Sequence, residues 1–245
     1  MILLTRLMQP LNTMASSLLD FLMPWRCMIC YAVLPSDTLW HYICQRCFDQ
    51  LEPAPPPHHL LAAFDRIHQT DESAISHIIG RWSAHHERRP GLFDLVYALK
   101  YYGYWQIGIE LGRELGAATQ LLSTTRYDGL VPVPIHPARR RERGYNQAEA
   151  IAEGMQQVLH IPIWRNALCR MRYTRSQTTL SSTERMVNTR GAFGAGPDST
   201  RLRGKTILIV DDVFTTGSTL NSVAMTALQL GTARADAATL VVATL

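Results

Sequence analysis

The order of apolar runs predicts an α/β chain: a mostly parallel sheet flanked by helices, preceded by a small cysteine-bearing module. Beyond residue 75, short wholly apolar runs alternate with stretches of helical period, the pattern of a sheet covered on both faces. A proline-rich break at Glu52–His59, with Pro53, Pro55, Pro56 and Pro57, separates this region from what precedes it. Before the break stand two C-x-x-C pairs, Cys27/Cys30 and Cys44/Cys47.

In chain order, Ser76–Ala84 reads as a strand, and Leu92–Lys100 and Trp105–Leu122 as helices, the second with Leu111, Leu115, Ala118 and Leu122 on one face. Gly129–Pro134 is a short buried strand. Asn146–Leu159 is helical, with a stripe of Ala148, Ile151, Met155, Val158 and Leu159. Ile207–Val210 is apolar at every position, as expected of a strand buried on both faces. Ser218–Leu230 is helical, and Ala237–Ala243 forms a last buried strand. The divisions expected are 1–52 for an amphipathic helix and metal module, 53–75 for a semi-rigid linker, and 76–245 for the α/β domain.

Composition narrows the class. Of the 245 residues 47% are hydrophobic and 18% charged, enough apolar material for a core. The net charge of +4 is mild, but Arg139, Arg140, Arg141 and Arg143 cluster, and six further arginines fall between Arg165 and Arg190. The apolar residues of 1–25 are interrupted by Arg6, Gln9, Pro10, Asn12 and Asp20. That predicts no membrane span and no signal peptide, and a cytoplasmic chain whose Leu11, Met14, Ala15, Leu18, Leu19 and Leu22 form a packing stripe.

The two C-x-x-C pairs are 13 residues apart. Each forms a knuckle that turns two sulfurs toward one metal, and two knuckles complete a tetrahedron. A closed four-sulfur site suits structural Zn²⁺ on Cys27, Cys30, Cys44 and Cys47, and leaves His41 no role. A pair of redox motifs is the rival reading, but it needs a βαβ setting that these residues do not provide. Cys169 stands apart and reads as a small buried hydrophobe.

The run Ile207–Thr219 carries the strongest signal. Asp211 and Asp212 stand where the apolar strand ends, and ligands of open parallel sheets bind beyond the carboxyl ends of strands. Thr215, Thr216, Gly217, Ser218 and Thr219 then lead into a helix. Hydroxyls and free N–H groups at a helix N-terminus favour an anion, and Gly217 admits close approach of backbone. Carboxylates beside a phosphate cradle fit a sugar phosphate. A receiver-type phosphoacceptor or an ATPase would need further motifs, and no G-x-x-x-x-G-K-[ST] occurs. A second anion site is expected at the basic segment Ile135–Arg143, which follows another strand end and precedes a helix. Arginine forks there suit phosphate oxygens. Alone, the segment reads equally well as an exposed basic turn.

Over its 13 residues, Ile207–Thr219 resembles the signature of type I phosphoribosyltransferases. The resemblance implies that Asp211 and Asp212 take the ribose hydroxyls of phosphoribosyl pyrophosphate (PRPP) and Thr215–Thr219 its 5-phosphate. Arg139, Arg140 and Arg143 would then meet the diphosphate, with Mg²⁺ bridging its oxygens. Arg143-Gly-Tyr-Asn-Gln147, Leu99-Lys-Tyr-Tyr-Gly103, the Arg172–Leu180 run and the cysteine pairs together resemble the ComF family, which includes GntX-like DNA-utilisation proteins. That likeness implies a role in natural transformation or the use of external DNA. It also implies a helicase-like partner at the inner face of the membrane, where the protein would be peripheral.

The long polar stretch Arg172–Gly204 resembles the closing loop of glutamine-dependent PRPP amidotransferases, with Arg172, Gln177 and Arg185 as closure residues; a basic surface loop is the plainer reading. The arginine clusters lead us to expect weak binding of single-stranded DNA without sequence preference. Three functions stay open: a PRPP-dependent glycosyltransferase of unknown acceptor, a PRPP sensor, and a DNA-binding adaptor.

Overall fold

The computed structural model describes residues 24–35, 40–68, 73–84, 91–172 and 191–243. The stripe expected within 1–25, and the closure residues Gln177 and Arg185, lie outside them. The chain divides into two compact units, Met1–Leu51 and Glu52–Leu245.

The first unit is organised by its cysteines. Arg26 and Val33 bridge antiparallel strand ends, and Tyr31 turns the chain between them at φ +61°. A five-residue helix, α1 (Gln45–Asp49), carries the second pair, with Cys44 as its N-cap.

The second unit begins with a departure from expectation. Residues 53–75 are not a linker: Pro57–His68 form helix α2. Pro57 is tolerated because it occupies the first helical position, where no N–H is needed. Pro57, Leu60, Phe64 and His68 recur at helical spacing and are all buried. Ahead of α2, Ala54 N–H donates to Arg81 O at 3.2 Å and Ser83 N–H to Glu52 O at 2.8 Å, so residues 52–54 edge the first strand.

That strand, β1 (Ile78–Ala84), is followed by helices α3 (Leu92–Tyr101) and α4 (Trp105–Leu122), then β2 (Gly129–Pro132). Next come the short helix α5 (Pro137–Arg143) and α6 (Gln147–Leu159), and a ribbon of β3 (Leu168–Arg170) with β4 (Phe193–Ala195). The chain closes with β5 (Thr206–Phe214), α7 (Ser218–Gln229) and β6 (Arg234–Ala243). The sheet runs β1-β6-β5-β2, parallel throughout.

At its centre Ile207, Leu208, Ile209 and Val210 are fully buried, each such side chain contributing about 1.5–3 kcal/mol of transfer free energy. Gly80 of β1 faces Leu60 of α2, whereas Arg81 reaches Glu114 of α4 at 2.9 Å. Helices α2 and α4 thus take opposite faces of the sheet. Helices α4 and α6 touch through backbone: a Cβ at Gly112 would lie 2.2 Å from Ile151 O, and one at Gly154 2.1 Å from Ile109 O. This contact fixes α6, and with it the residues that α6 presents to β5.

Two further expectations are corrected. The long loop over Arg172–Gly204 is shorter, because Phe193–Ala195 pair with Leu168–Arg170 and Ser199–Leu202 form a 3₁₀ turn. Ala192, Phe193 and Leu202 are buried and anchor these pieces. The central strand does not end at Val210 either: β5 continues beside β6 to Phe214, with Asp211 opposite Thr239.

Candidate functional site

The site lies where two strands part. β2 pairs with β5 only as far as Pro132 opposite Val210, and Val133 N–H closes that ladder on Val210 O at 2.9 Å. Beyond this point β5 keeps its partner on the β6 side alone. The acidic pair therefore sits within β5, at the stretch that β2 has left, which is where an open parallel sheet offers a crevice.

Both carboxylates are buried. Asp212 is held on both oxygens: Gln147 Nε2 donates to Oδ1 at 3.3 Å, and the Lys100 ammonium pairs with Oδ2. Burial alone would raise this acid, but the Lys100 charge and these hydrogen bonds outweigh it and hold the carboxyl below the usual range. Asp211 goes the other way. Burial, and then the neighbouring Asp212 charge, push it well above the usual range, although its Oδ1 accepts the Asp212 N–H at 2.9 Å. The two neighbouring acids are thus pushed in opposite directions, Asp212 down by Lys100 and its hydrogen bonds and Asp211 up by burial and the Asp212 charge.

The hydroxyl loop follows directly. Gly217 is the N-cap of α7 with φ +73°, and a Cβ there would meet Phe64 at 2.7 Å and Phe214 at 2.8 Å. The position demands glycine for its conformation and for lack of room. Thr216 and Ser218 are buried, with hydroxyls 2.8 Å apart. The Thr216 carbonyl accepts from His68 Nε2 at 2.8 Å, so α2 braces the loop from below. Thr215 and Thr219 are half-buried at the two ends.

The basic segment is a helix, not a loop. His136 caps α5 by accepting the Ala138 N–H on Nδ1 at 3.2 Å, and Gly144 ends it at φ +84°. The structure assigns its arginines different tasks. Arg140 grips the buried Glu149 with both arms, at 2.6 and 3.0 Å, which commits its fork to the protein. Arg143 donates to Gln147 Oε1 and lies 5.3 Å from the Tyr101 ring centroid. Arg139 acts electrostatically on Arg170, which in turn senses Asp211. Burial first, and then the Arg139 charge, lower the Arg170 guanidinium. Arg172 is exposed.

Several residues that matter here had no role assigned from sequence. Lys100, Tyr145, Asn146 and Gln147 lay inside quoted motifs, and the structure shows why the two motifs occur together. Tyr145 Oη donates to Leu99 O, Asn146 Nδ2 to Val133 O at 3.0 Å, and Asn146 Oδ1 caps α6 by accepting the Ala148 N–H at 3.1 Å. The end of α3, the end of β2 and the start of α6 are thereby tied together around Asp212. His68 fell in the segment read as linker. Its signal was the spacing Pro57, Leu60, Phe64, His68.

In the first unit the four cysteine sulfurs lie within 4.8 Å of one another, Cys30 and Cys44 3.7 Å apart. Tetrahedral thiolates around zinc would stand about 3.8 Å apart, given Zn–S bonds of about 2.3 Å. Burial would raise the Cys27 thiol, but backbone N–H groups of Cys30, Cys44 and Ile29 bring it down to about 7. Burial and the neighbouring sulfurs push Cys47 up. Four thiols this close cannot all ionise without a cation among them, so the donor set fits a thiophilic divalent metal. Trp40 stacks on Phe48 at 4.7 Å and Trp25 meets Tyr42 edge-on at 5.5 Å, packing around the knuckles. Cys169 is only partly buried, and its Sγ donates to Ala195 O at 3.3 Å.

Residues 146–243 match the phosphoribosyl transferase domain family. The part of the α/β unit from α6 to β6 thus resembles phosphoribosyltransferase domains, and the four-cysteine cluster of the first unit can hold a metal ion. Relatives of the chain include competence and DNA utilization proteins. It is 31% identical over 141 residues to Competence protein F of Haemophilus influenzae, covering 56% of this chain and 62% of that one. It is 33% identical over 150 residues to the DNA utilization protein YhgH of Escherichia coli, covering 59% and 64%. The chain thus spans less than two thirds of the length of either relative. Among solved structures, the glutamine PRPP amidotransferase of Bacillus subtilis superposes with TM-score 0.37 at 19% identity, over 54% of this chain and 26% of that one. Among the described residues no helix is long and apolar enough to cross a membrane.

Proposed function

We propose that this protein binds PRPP with Mg²⁺ at the end of β5 and serves the uptake or use of DNA. The supporting observation is that a buried acidic pair and a Thr-Thr-Gly-Ser-Thr loop adjoin where β2 leaves β5. In this reading Asp211 and Asp212 receive the ribose hydroxyls. The hydroxyls and N–H groups of Thr215–Thr219 receive the 5-phosphate, helped by the positive end of α7. Arg139, Arg140 and Arg143 would meet the diphosphate, with the charge of Arg139 already bearing on Arg170 near Asp211. When bound, Mg²⁺ would neutralise diphosphate oxygens and so help them leave.

As a transferase, the protein would let a nucleophilic acceptor attack C1 while the C1–O bond breaks and diphosphate departs with the electron pair. Arg172, Gln177 and Arg185 would shield that centre from water. Incubation with PRPP, Mg²⁺ and a panel of nucleobases should then release pyrophosphate. Binding without release would assign the site to PRPP sensing. In the first unit, Cys27, Cys30, Cys44 and Cys47 would hold Zn²⁺, whose binding supplies much of the folding energy of so small a module.

The link to DNA rests on the relatives named above and on the arginines. Single-stranded DNA should bind weakly, with affinity falling steeply as salt rises. Arg139→Ala with Arg141→Ala should weaken binding to all sequences alike. A helicase-like partner at the inner membrane face, and a cytoplasmic location, belong to the same proposal.

A further inference from the structure

Lys100 has no part in the reading above, yet it is the cation nearest the acidic pair. It stands in the last turn of α3, where Tyr145 Oη donates to the backbone at Leu99 O and Arg143 lies over the Tyr101 ring. From this position a four-carbon stem carries the ammonium to Asp212 Oδ2. The two ends differ in setting: the Lys100 side chain is 25% exposed and that of Asp212 5%. The carboxylate is largely buried, while the lysine side chain that neutralises it is partly exposed. Gln147 already serves the other oxygen. A carboxylate offers about four lone-pair positions, so arriving hydroxyls compete with Lys100 without having to displace Gln147.

A ligand approaching Asp212 through vicinal hydroxyls takes up the lone pairs that Lys100 uses. The ammonium is then left without its partner, and regains a counter-charge only if the ligand carries one. A compact ammonium on a flexible stem with three donors is suited to such an exchange, as the planar fork of arginine is not. We propose that Lys100 is a ligand-binding residue that neutralises Asp212 in the free protein and turns to the diphosphate oxygens once sugar hydroxyls occupy that carboxylate. This rests on the PRPP reading and deepens it. Lys100 makes the site selective for the activated sugar over ribose 5-phosphate, which offers the same hydroxyls and 5-phosphate but no diphosphate.

The test is calorimetric titration of the full chain, with Mg²⁺, by PRPP and separately by ribose 5-phosphate. Three proteins are compared: wild type, Lys100→Met and Lys100→Gln. The glutamine variant can still donate to Asp212 and so guards against misfolding, which the thermal transition checks. The wild type should prefer PRPP. Both variants should bind PRPP about tenfold or more weakly, as expected for loss of a charge-assisted contact, while ribose 5-phosphate binds as well as before or better. The inference is overturned if folded variants keep PRPP affinity within about twofold, or if both ligands weaken alike, since a purely structural lysine would behave that way. A wild type that binds neither ligand refutes the PRPP reading itself, and this inference with it.

Discussion

Gln147, the first residue of α6, donates from Nε2 to Asp212 Oδ1 at 3.3 Å, across 65 positions of sequence. This one contact couples the helix that follows the basic segment to the strand that carries the acidic pair. Arg143 donates to the same side chain from the other side, so the amide is oriented with its oxygen toward the arginine and its nitrogen toward the acid.

Removing the amide should therefore disturb the ligand more than the fold. Gln147→Ala is expected to lower PRPP affinity about tenfold or more, the worth of one hydrogen bond to a charged group, with a small change in melting temperature. Gln147→Glu should be worse, because it sets a like charge against Asp212. Calorimetric titration of both variants checks the order; equal affinities for the two would contradict it.

Gly217 is constrained twice, by φ +73° and by the rings of Phe64 and Phe214. Gly217→Ala should cost roughly 1–3 kcal/mol of stability, read from chemical denaturation. It should also displace the loop that precedes α7 and weaken PRPP binding. A variant as stable as the wild type would show that the loop is not held as described.

The raised Asp211 carboxyl gives a pH dependence of definite sign. A proton is bound more tightly in the folded chain than in the unfolded one. Stability is therefore lost as pH climbs from the ordinary carboxylate range through the raised value. Asp211→Asn has no such proton, and its Oδ1 still accepts the Asp212 N–H. The variant should melt higher than the wild type at about pH 8, with the gain shrinking as pH falls toward about 4, where an unfolded aspartate titrates. Melting curves across that range test it, and a gain that grows toward acid pH would reverse the assignment.

The cysteine cluster predicts one zinc per chain by elemental analysis after purification without chelator. Cys27→Ser should release the metal and unfold the first unit while leaving the α/β domain folded, visible as one lost transition in calorimetry. Two disulfides and no metal in freshly reduced protein would contradict this.

Much of this architecture was written in local pattern. Trp105–Leu122 was bounded from sequence as the structure has it, because a long helix with one apolar face leaves a strong periodic signal. The central strand was found but ended too early, since Asp211 and Asp212 look like a polar terminus. Only the pairing with β6 shows that they are buried strand. Helix α2 was obscured by the prolines that precede it, although its own spacing was regular. The hydroxyl loop and the acidic pair were legible because they are contiguous in sequence, at the end of an apolar run and the start of a helix. Lys100, Gln147 and His68 were not, because their partners lie 65 or more positions away and only tertiary packing brings them in. The same holds for Arg140, whose fork turned out to serve Glu149.

The buried acidic pair of β5 and the loop after it are the proposed PRPP site. Titration of the wild type and of Asp211→Asn/Asp212→Asn with PRPP and Mg²⁺, followed by calorimetry, tests it most directly. The wild type should show saturable one-to-one binding and the double variant none, with the variant's folding confirmed by its thermal transition. A folded double variant that binds PRPP as tightly as the wild type would contradict it.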